Sequence, residues 1–236
     1  MVQRMPGRAG GLALGEALDP HGAGDGQSAR RPVALEAPDG RRVRLATLTV
    51  ETLAHGERRG VDTDGDGVPD SWSEQWLELD PDAYDPARLF FNPVNPVASR
   101  DNILQAAADI WSSAEVVRSG ALGTAVSTSL DETVVLDDVV YFGHSQGAVV
   151  GVPALSVDSG IRAAVLTGGG GLLVRSLLDK TEPVPVDQWV AMGLADPDIV
   201  DPDQGRFHPV LNLLQASYES ADAVNHGPYV FDRGYF

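Results

Sequence analysis

Cysteine is absent altogether, and with it go disulfides, thiolate metal centres, a thiol nucleophile and lipid-modified thiols. Positive charge is scarce. Seventeen Lys and Arg stand against 34 Asp and Glu, a formal net charge of −17 at pH 7, so a phosphate backbone or an anionic membrane surface is repelled and nucleic acid is not an expected partner. No apolar run approaches the roughly 18 residues that a membrane span needs. The apolar stretch near the start is short and broken by glycine, unlike a signal peptide. What the chain does have is length and grease: 236 residues, 43% hydrophobic, enough for one sizeable buried core.

The pattern along the chain is uneven. Residues 1–44 are rich in Gly, Arg and Ala, carry turn signals such as Pro38-Asp39-Gly40, and hold no sustained period, which predicts a loosely structured N-terminal segment. Within it GGLALGEALDP makes a poor strand, so the pair His21-Gly22 reads as a solvated turn. Residues 45–236 form the expected domain. RLATLTVETL over 44–53 alternates apolar and polar residues and predicts a strand ending at Ala54-His55-Gly56. Residues 60–95, dominated by Asp, Pro and Gly, are too polar for a core and read as an insertion. A helix is predicted over 99–117, opened by Ser99 as a cap.

VVLDDVVYF over 134–142 is an apolar strand. AVVGVPAL over 148–155 is a small-residue helix weakened by Gly151 and Pro153, and IRAAVLT over 161–167 is a second apolar strand closed by four glycines, Gly168 to Gly171. This alternation predicts an α/β fold with a mostly parallel sheet and helices on both faces. Helical segments are expected over 172–178, 186–194 and 209–217, within a cap-like region 172–220, and no later strand follows.

Gly143-His144-Ser145-Gln146-Gly147 matches G-x-S-x-G at the junction of a strand and a helix, the setting that gives this pattern its meaning. A serine on such a turn is lifted above the sheet edge, and the flanking glycines let strand and helix approach closely. The helix N-terminus then points at the reaction centre, where the Gln146 backbone N–H can hold a tetrahedral oxyanion.

The segment YFGHSQGAVVGVPAL followed by AAVLTGGGG resembles the α/β-hydrolase fold, and within it bacterial extracellular lipase or esterase-like proteins. TLAHGERRG, NPVASRDNILQAAADI and HPVLNLLQ are similar to further pieces of such enzymes, so the resemblance spans about residues 45–227. It implies a Ser–His–acid hydrolase acting on a small-molecule or lipid ester through Ser145, and a secreted or cell-envelope setting.

A serine nucleophile needs an imidazole to take its proton and a carboxylate to orient that imidazole, in the chain order Ser, acid, His for this fold. His208, with Asp201 and Asp203 upstream, and His226, with Asp222 four residues before it, are the candidates. His226 is preferred over His208, while His144 next to the nucleophile points elsewhere. The strands that would carry acid and base are missing from the pattern. The expectation is therefore a shortened hydrolase lacking its last strands, either active or, as the alternative, a catalytically silent module on the same scaffold.

Asp62-Thr63-Asp64-Gly65-Asp66-Gly67-Val68-Pro69-Asp70 sets carboxylates at positions 1, 3, 5 and 9 of a calcium loop, with glycine at position 6 and the Val68 carbonyl at position 7. Ser73 stands where an EF-hand has its bidentate Glu. The run resembles the short calcium loops of dockerin-like and thrombospondin type 3-like repeats. Four carboxylates within nine residues repel unless neutralised, which favours a structural Ca2+ over a solvated acidic loop. Trp72, Trp76, Phe90 and Phe91 around it predict a satellite apolar cluster or one wall of an acyl pocket.

Overall fold

A computed structural model describes residues 11–16, 33–36, 42–50, 90–92, 95–131, 133–136, 138–179 and 207–232. The elements in chain order are β1 (Gly11–Glu16), β2 (Val33–Glu36), β3 (Arg42–Leu48), α1 (Pro96–Arg118), α2 (Ala121–Leu130), β4 (Asp138–His144), α3 (Gln146–Val157), β5 (Ile161–Thr167), α4 (Leu173–Leu178), α5 (Pro209–Tyr218) and α6 (Ala223–Asp232). The fold is mixed α/β.

The strands form one five-stranded sheet in the order β2-β3-β1-β4-β5. β1 runs parallel to both β3 and β4, β4 runs parallel to β5, and only the edge strand β2 is antiparallel, to β3. Three strands, β1, β2 and the start of β3, lie within the segment read from the sequence as loosely structured. GLALGE, a poor strand by alternation, lies at the centre of the sheet, where both neighbours supply backbone partners and tertiary pairing overrides a weak local preference. β3 also begins and ends earlier than the predicted 44–53.

Register and burial define the two faces of β4. Val139, Tyr141 and Gly143 are buried, and the face they form lies against α3, where Tyr141 and Leu166 of β5 crowd Gly151. On the opposite face Phe142 is paired in register with Val165, and they are 48% and 55% exposed. The sheet was expected to be covered on both faces. Among the described residues, helix packing is seen only on the Tyr141 side.

α3 is the centre of the helical layer. It packs against α1, α6, β4 and β5, and nine of its twelve residues are buried. That burial outweighs the helix-weakening Gly151 and Pro153. α1 turns a single stripe inward, Ser99, Ile103, Ala106, Ala107, Ile110, Ala114 and Val117, the three-and-four spacing of one helix face. Its cap is not Ser99. Asn95 accepts from the Ala98 N–H at 3.1 Å and Pro96 takes the first helical position, where its missing N–H costs nothing. Phe90 is fully buried in this main core with Phe91 edge-on to it at 5.0 Å, so these two belong to the main core and not to a satellite.

Two carboxylates fasten the ends of the helices. Asp158, buried at the C-terminal end of α3, accepts from both terminal nitrogens of Arg118 at 3.1 and 3.0 Å, and Arg118 also pairs with Glu115. Burial works against the Arg118 charge, but Asp158 and Glu115 together raise its pKa. Asp222, 1% exposed, accepts from the backbone N–H of Leu172, Leu173 and Val224 and from Gln215 Nε2. One side chain thus caps α4 and α6 and ties α5 to both.

Helices at 121–130 and 223–232 were not anticipated, and the predicted helix over 186–194 lies outside the described residues. No strand follows Thr167 among the described residues, and no described helix is long and apolar enough to cross a membrane.

Candidate active site at the serine turn

Ser145 is the single residue between the end of β4 and the start of α3. Its backbone stands at φ 53°, ψ −114°, a region that L-residues other than glycine rarely enter and that costs on the order of 1–3 kcal/mol. The surroundings hold it there. The Ser145 N–H donates to the Thr167 carbonyl at 2.8 Å, carrying the β4–β5 ladder one residue further, and its own carbonyl accepts from Ala148 and Val149 at 3.0 and 3.1 Å. Strand hydrogen bonding on one side and helix hydrogen bonding on the other leave the turn one residue to complete.

The first glycine of the motif has a steric task. A Cβ on Gly143 would lie 2.5 Å from the Gly147 carbonyl oxygen and 2.8 Å from the Tyr141 ring. Only a bare Cα lets the helix start this close to its strand. The Tyr141 hydroxyl, buried, donates to the same Gly147 carbonyl at 2.6 Å and fixes the first turn of α3 from below. After β5, Gly168 stands at φ 63° beside the His144 ring, which the second glycine-rich turn requires.

Serine at a helix N-cap normally bonds a first-turn N–H through its side chain. Ser145 makes no such bond, and its hydroxyl has no hydrogen-bond partner among the described residues. The backbone N–H groups of Gln146 and Gly147 also lack acceptors among the described residues, so two donors at the positive end of a twelve-residue helix remain open beside an unused hydroxyl. Gln146 is 5% exposed, and its buried Nε2 has no hydrogen-bond partner among the described residues.

Topology adds to the placement. From β1 the chain proceeds to β2 and β3 on one side, whereas β4 and β5 lie on the other. Order therefore reverses between β1 and β4, and the crevice outside the carboxyl ends of strands at such a reversal is where open α/β sheets bind ligands. Glu16, the last residue of β1, pairs with Gly143. His21-Gly22 follows a central strand that ends beside the serine turn, although His21 and Gly22 lie outside the described residues.

The other candidates are dispersed. His226 is not beside Ser145: Nδ1 is 3.0 Å from Ser156 Oγ and Nε2 is 2.9 Å from the Ser220 carbonyl. Ser156 is eleven residues along α3 from Ser145, about 16 Å at 1.5 Å per residue. Its stretch was read as a Gly-Pro turn, but α6 forms there and directs the imidazole to the far end of α3. Asp222 serves the helix caps and not an imidazole. His208 is the N-cap of α5, its Nδ1 accepting from the Val210 N–H at 3.3 Å. His144 is exposed and bonds Thr167 Oγ1 through Nδ1 at 2.8 Å. Asp62, Asp64, Asp66, Val68 and Asp70 of the acidic loop lie outside the described residues, as do His55, Trp72 and Trp76, and no group of three or more metal-ligating side chains occurs among the described residues. Compared with known proteins, the chain matches no family model, no curated protein and no solved structure.

Proposed function

We propose that the protein is a serine hydrolase of the α/β-hydrolase type that cleaves carboxylic esters through an acyl-enzyme on Ser145. The observation that carries this reading is the strained backbone of Ser145, φ 53° and ψ −114°, on a one-residue strand-to-helix turn whose hydroxyl makes no cap hydrogen bond and has no partner among the described residues. Strain held in place by packing and aimed at a sheet's carboxyl edge is the signature of a group kept for chemistry.

In the reaction Ser145 Oγ attacks the ester carbonyl carbon and gives up its proton to a base. The carbonyl oxygen becomes an oxyanion that the Gln146 and Gly147 N–H groups can hold, an effect worth about 3 kcal/mol of barrier per donor. The C–O bond to the alcohol then breaks and the alcohol departs with the proton. Water attacks the acyl carbon in the same manner, freeing the acid and restoring the serine hydroxyl. Ser145 Oγ is hydrogen-bonded to none of the three described imidazoles, of which His226 is held at Ser156 and His144 at Thr167. The proposal includes a structural Ca2+ on Asp62, Asp64, Asp66, the Val68 carbonyl and Asp70, supported by their spacing in the sequence.

A second reading has one observation in its favour. Ser145 lacks an imidazole partner among the described residues, as a catalytically silent calcium-binding module on this scaffold would. Turnover of p-nitrophenyl acetate and butyrate separates the two. Hydrolysis that falls to background in Ser145→Ala supports the enzyme, whereas equal rates in both proteins leave the silent module.

A further inference from the structure

We infer that His144 and Thr167 are positioning residues for the proposed hydrolysis: the hydrogen bond between their side chains holds the end of β5 against the end of β4 and so keeps Ser145 in its strained conformation. The inference deepens the ester-hydrolase reading and rests on Ser145 being the nucleophile. Thr167 meets two successive residues of the neighbouring strand end. Its carbonyl accepts from the Ser145 N–H at 2.8 Å, and its hydroxyl is hydrogen-bonded to His144 Nδ1 at 2.8 Å. His144 and Thr167 are also the final in-register pair of the β4–β5 ladder.

A second hold is needed because of where the first one sits. A backbone such as that of Ser145 relaxes to an ordinary region unless its neighbours over-determine it, and on the strand side its hold is the bond to the Thr167 carbonyl. That carbonyl belongs to the peptide leading into Gly168, at φ 63°, a residue whose backbone turns freely. β5 is moreover the last strand of the sheet among the described residues, so no further strand steadies this peptide. The side-chain bond to His144 fixes Thr167 just before the hinge. A Cβ on Gly168 would lie 3.3 Å from His144 Cε1 and 3.7 Å from the Ser145 nitrogen, which packs ring, glycine and serine turn into one place. Both His144 and Thr167 are exposed, and changes at exposed positions move the stability of a whole fold little. The work of this bond is local, at the serine.

The test follows p-nitrophenyl butyrate turnover by the full chain in wild type, Thr167→Val, Thr167→Ser, His144→Ala, His144→Asn and the Thr167→Val, His144→Ala double variant. Valine keeps the β-branch and removes the hydroxyl, serine keeps the hydroxyl, and asparagine keeps a short polar side chain in place of the imidazole. The expected result is a fall of about fivefold in kcat for Thr167→Val and for His144→Ala, the scale of one lost hydrogen bond, with KM and the urea unfolding midpoint unchanged. The double variant should fall no further than either single one, because both remove the same bond, and Thr167→Ser and His144→Asn should recover most of the rate. Wild-type kcat in Thr167→Val, losses that multiply in the double variant, or a loss that neither serine nor asparagine restores overturns the inference. If Thr167→Val gives no cooperative unfolding transition, His144→Ala and His144→Asn carry the same comparison. Labelling of Ser145 by a fluorophosphonate in the same samples distinguishes the two failures: with wild type labelled and kcat unmoved by the variants only the positioning role is wrong, and with wild type unlabelled and inactive the hydrolase reading falls and this inference with it.

Discussion

At the scale of single residues, the serine turn concentrates strain in one place. Glycine enters the φ, ψ region of Ser145 at little cost, whereas alanine does not. Ser145→Gly is therefore expected to be more stable than Ser145→Ala by about 1 kcal/mol in urea unfolding, and a glycine variant less stable than the alanine one would remove the claim of strain. Gly143→Ala carries the opposite sign. Its methyl would meet the Gly147 carbonyl at 2.5 Å, overpacking expected to cost about 1–3 kcal/mol and to pull α3 away from β4. The five-residue motif made the turn legible in the sequence, because a strand that passes into a helix through one residue needs a glycine where the two approach, as at Gly143. The unmatched Gln146 amide was not legible. Whether a polar head finds a partner depends on residues brought close by folding, and no local pattern encodes it.

At the scale of elements, the C-terminal helices depend on Asp222. Removing its carboxylate strands the N–H groups of Leu172, Leu173 and Val224 together with Gln215 Nε2. Asp222→Ala should lose about 3 kcal/mol and Asp222→Asn less, measured by chemical denaturation, and a neutral effect would contradict the capping role. The contact of α5 with α1 gives a pH test. Burial pushes the Tyr218 hydroxyl pKa up. The folded value lies above the unfolded one, so the folded state keeps the proton longer. Its contribution is complete below the ordinary phenol value, near pH 10, and is lost as pH rises through the folded value. Stability should fall above about pH 10 and Tyr218→Phe should flatten that decline; an unchanged slope would refute it. The sequence showed α3, β4 and β5 because each is a short apolar run bounded by turn residues. It missed α6, where Gly227-Pro228 reads as a turn, because the packing on α3 and the anchoring of His226 to Ser156 come from a part of the chain 70 residues away.

At the scale of the whole molecule, the parallel sheet places the carboxyl ends of β1, β4 and β5 together, and Ser145 stands where the strand order reverses. The alternation of strand and helix announced the α/β class. The central place of β1 stayed hidden, since its stability comes from pairing on both sides and not from its own residues. Acidity is the other global property. If the loop from Asp62 to Asp70 binds Ca2+, EGTA should lower the unfolding midpoint by several degrees and Asp64→Asn should abolish that response; a midpoint indifferent to EGTA would leave a solvated loop. The central claim, a serine hydroxyl poised for attack, is tested most directly by exposing the native protein to a fluorophosphonate and sequencing the modified peptide by mass spectrometry. The account predicts one adduct, on Ser145, absent after heat denaturation and in Ser145→Ala; a native protein that stays unmodified, or carries the adduct on another residue, would contradict it.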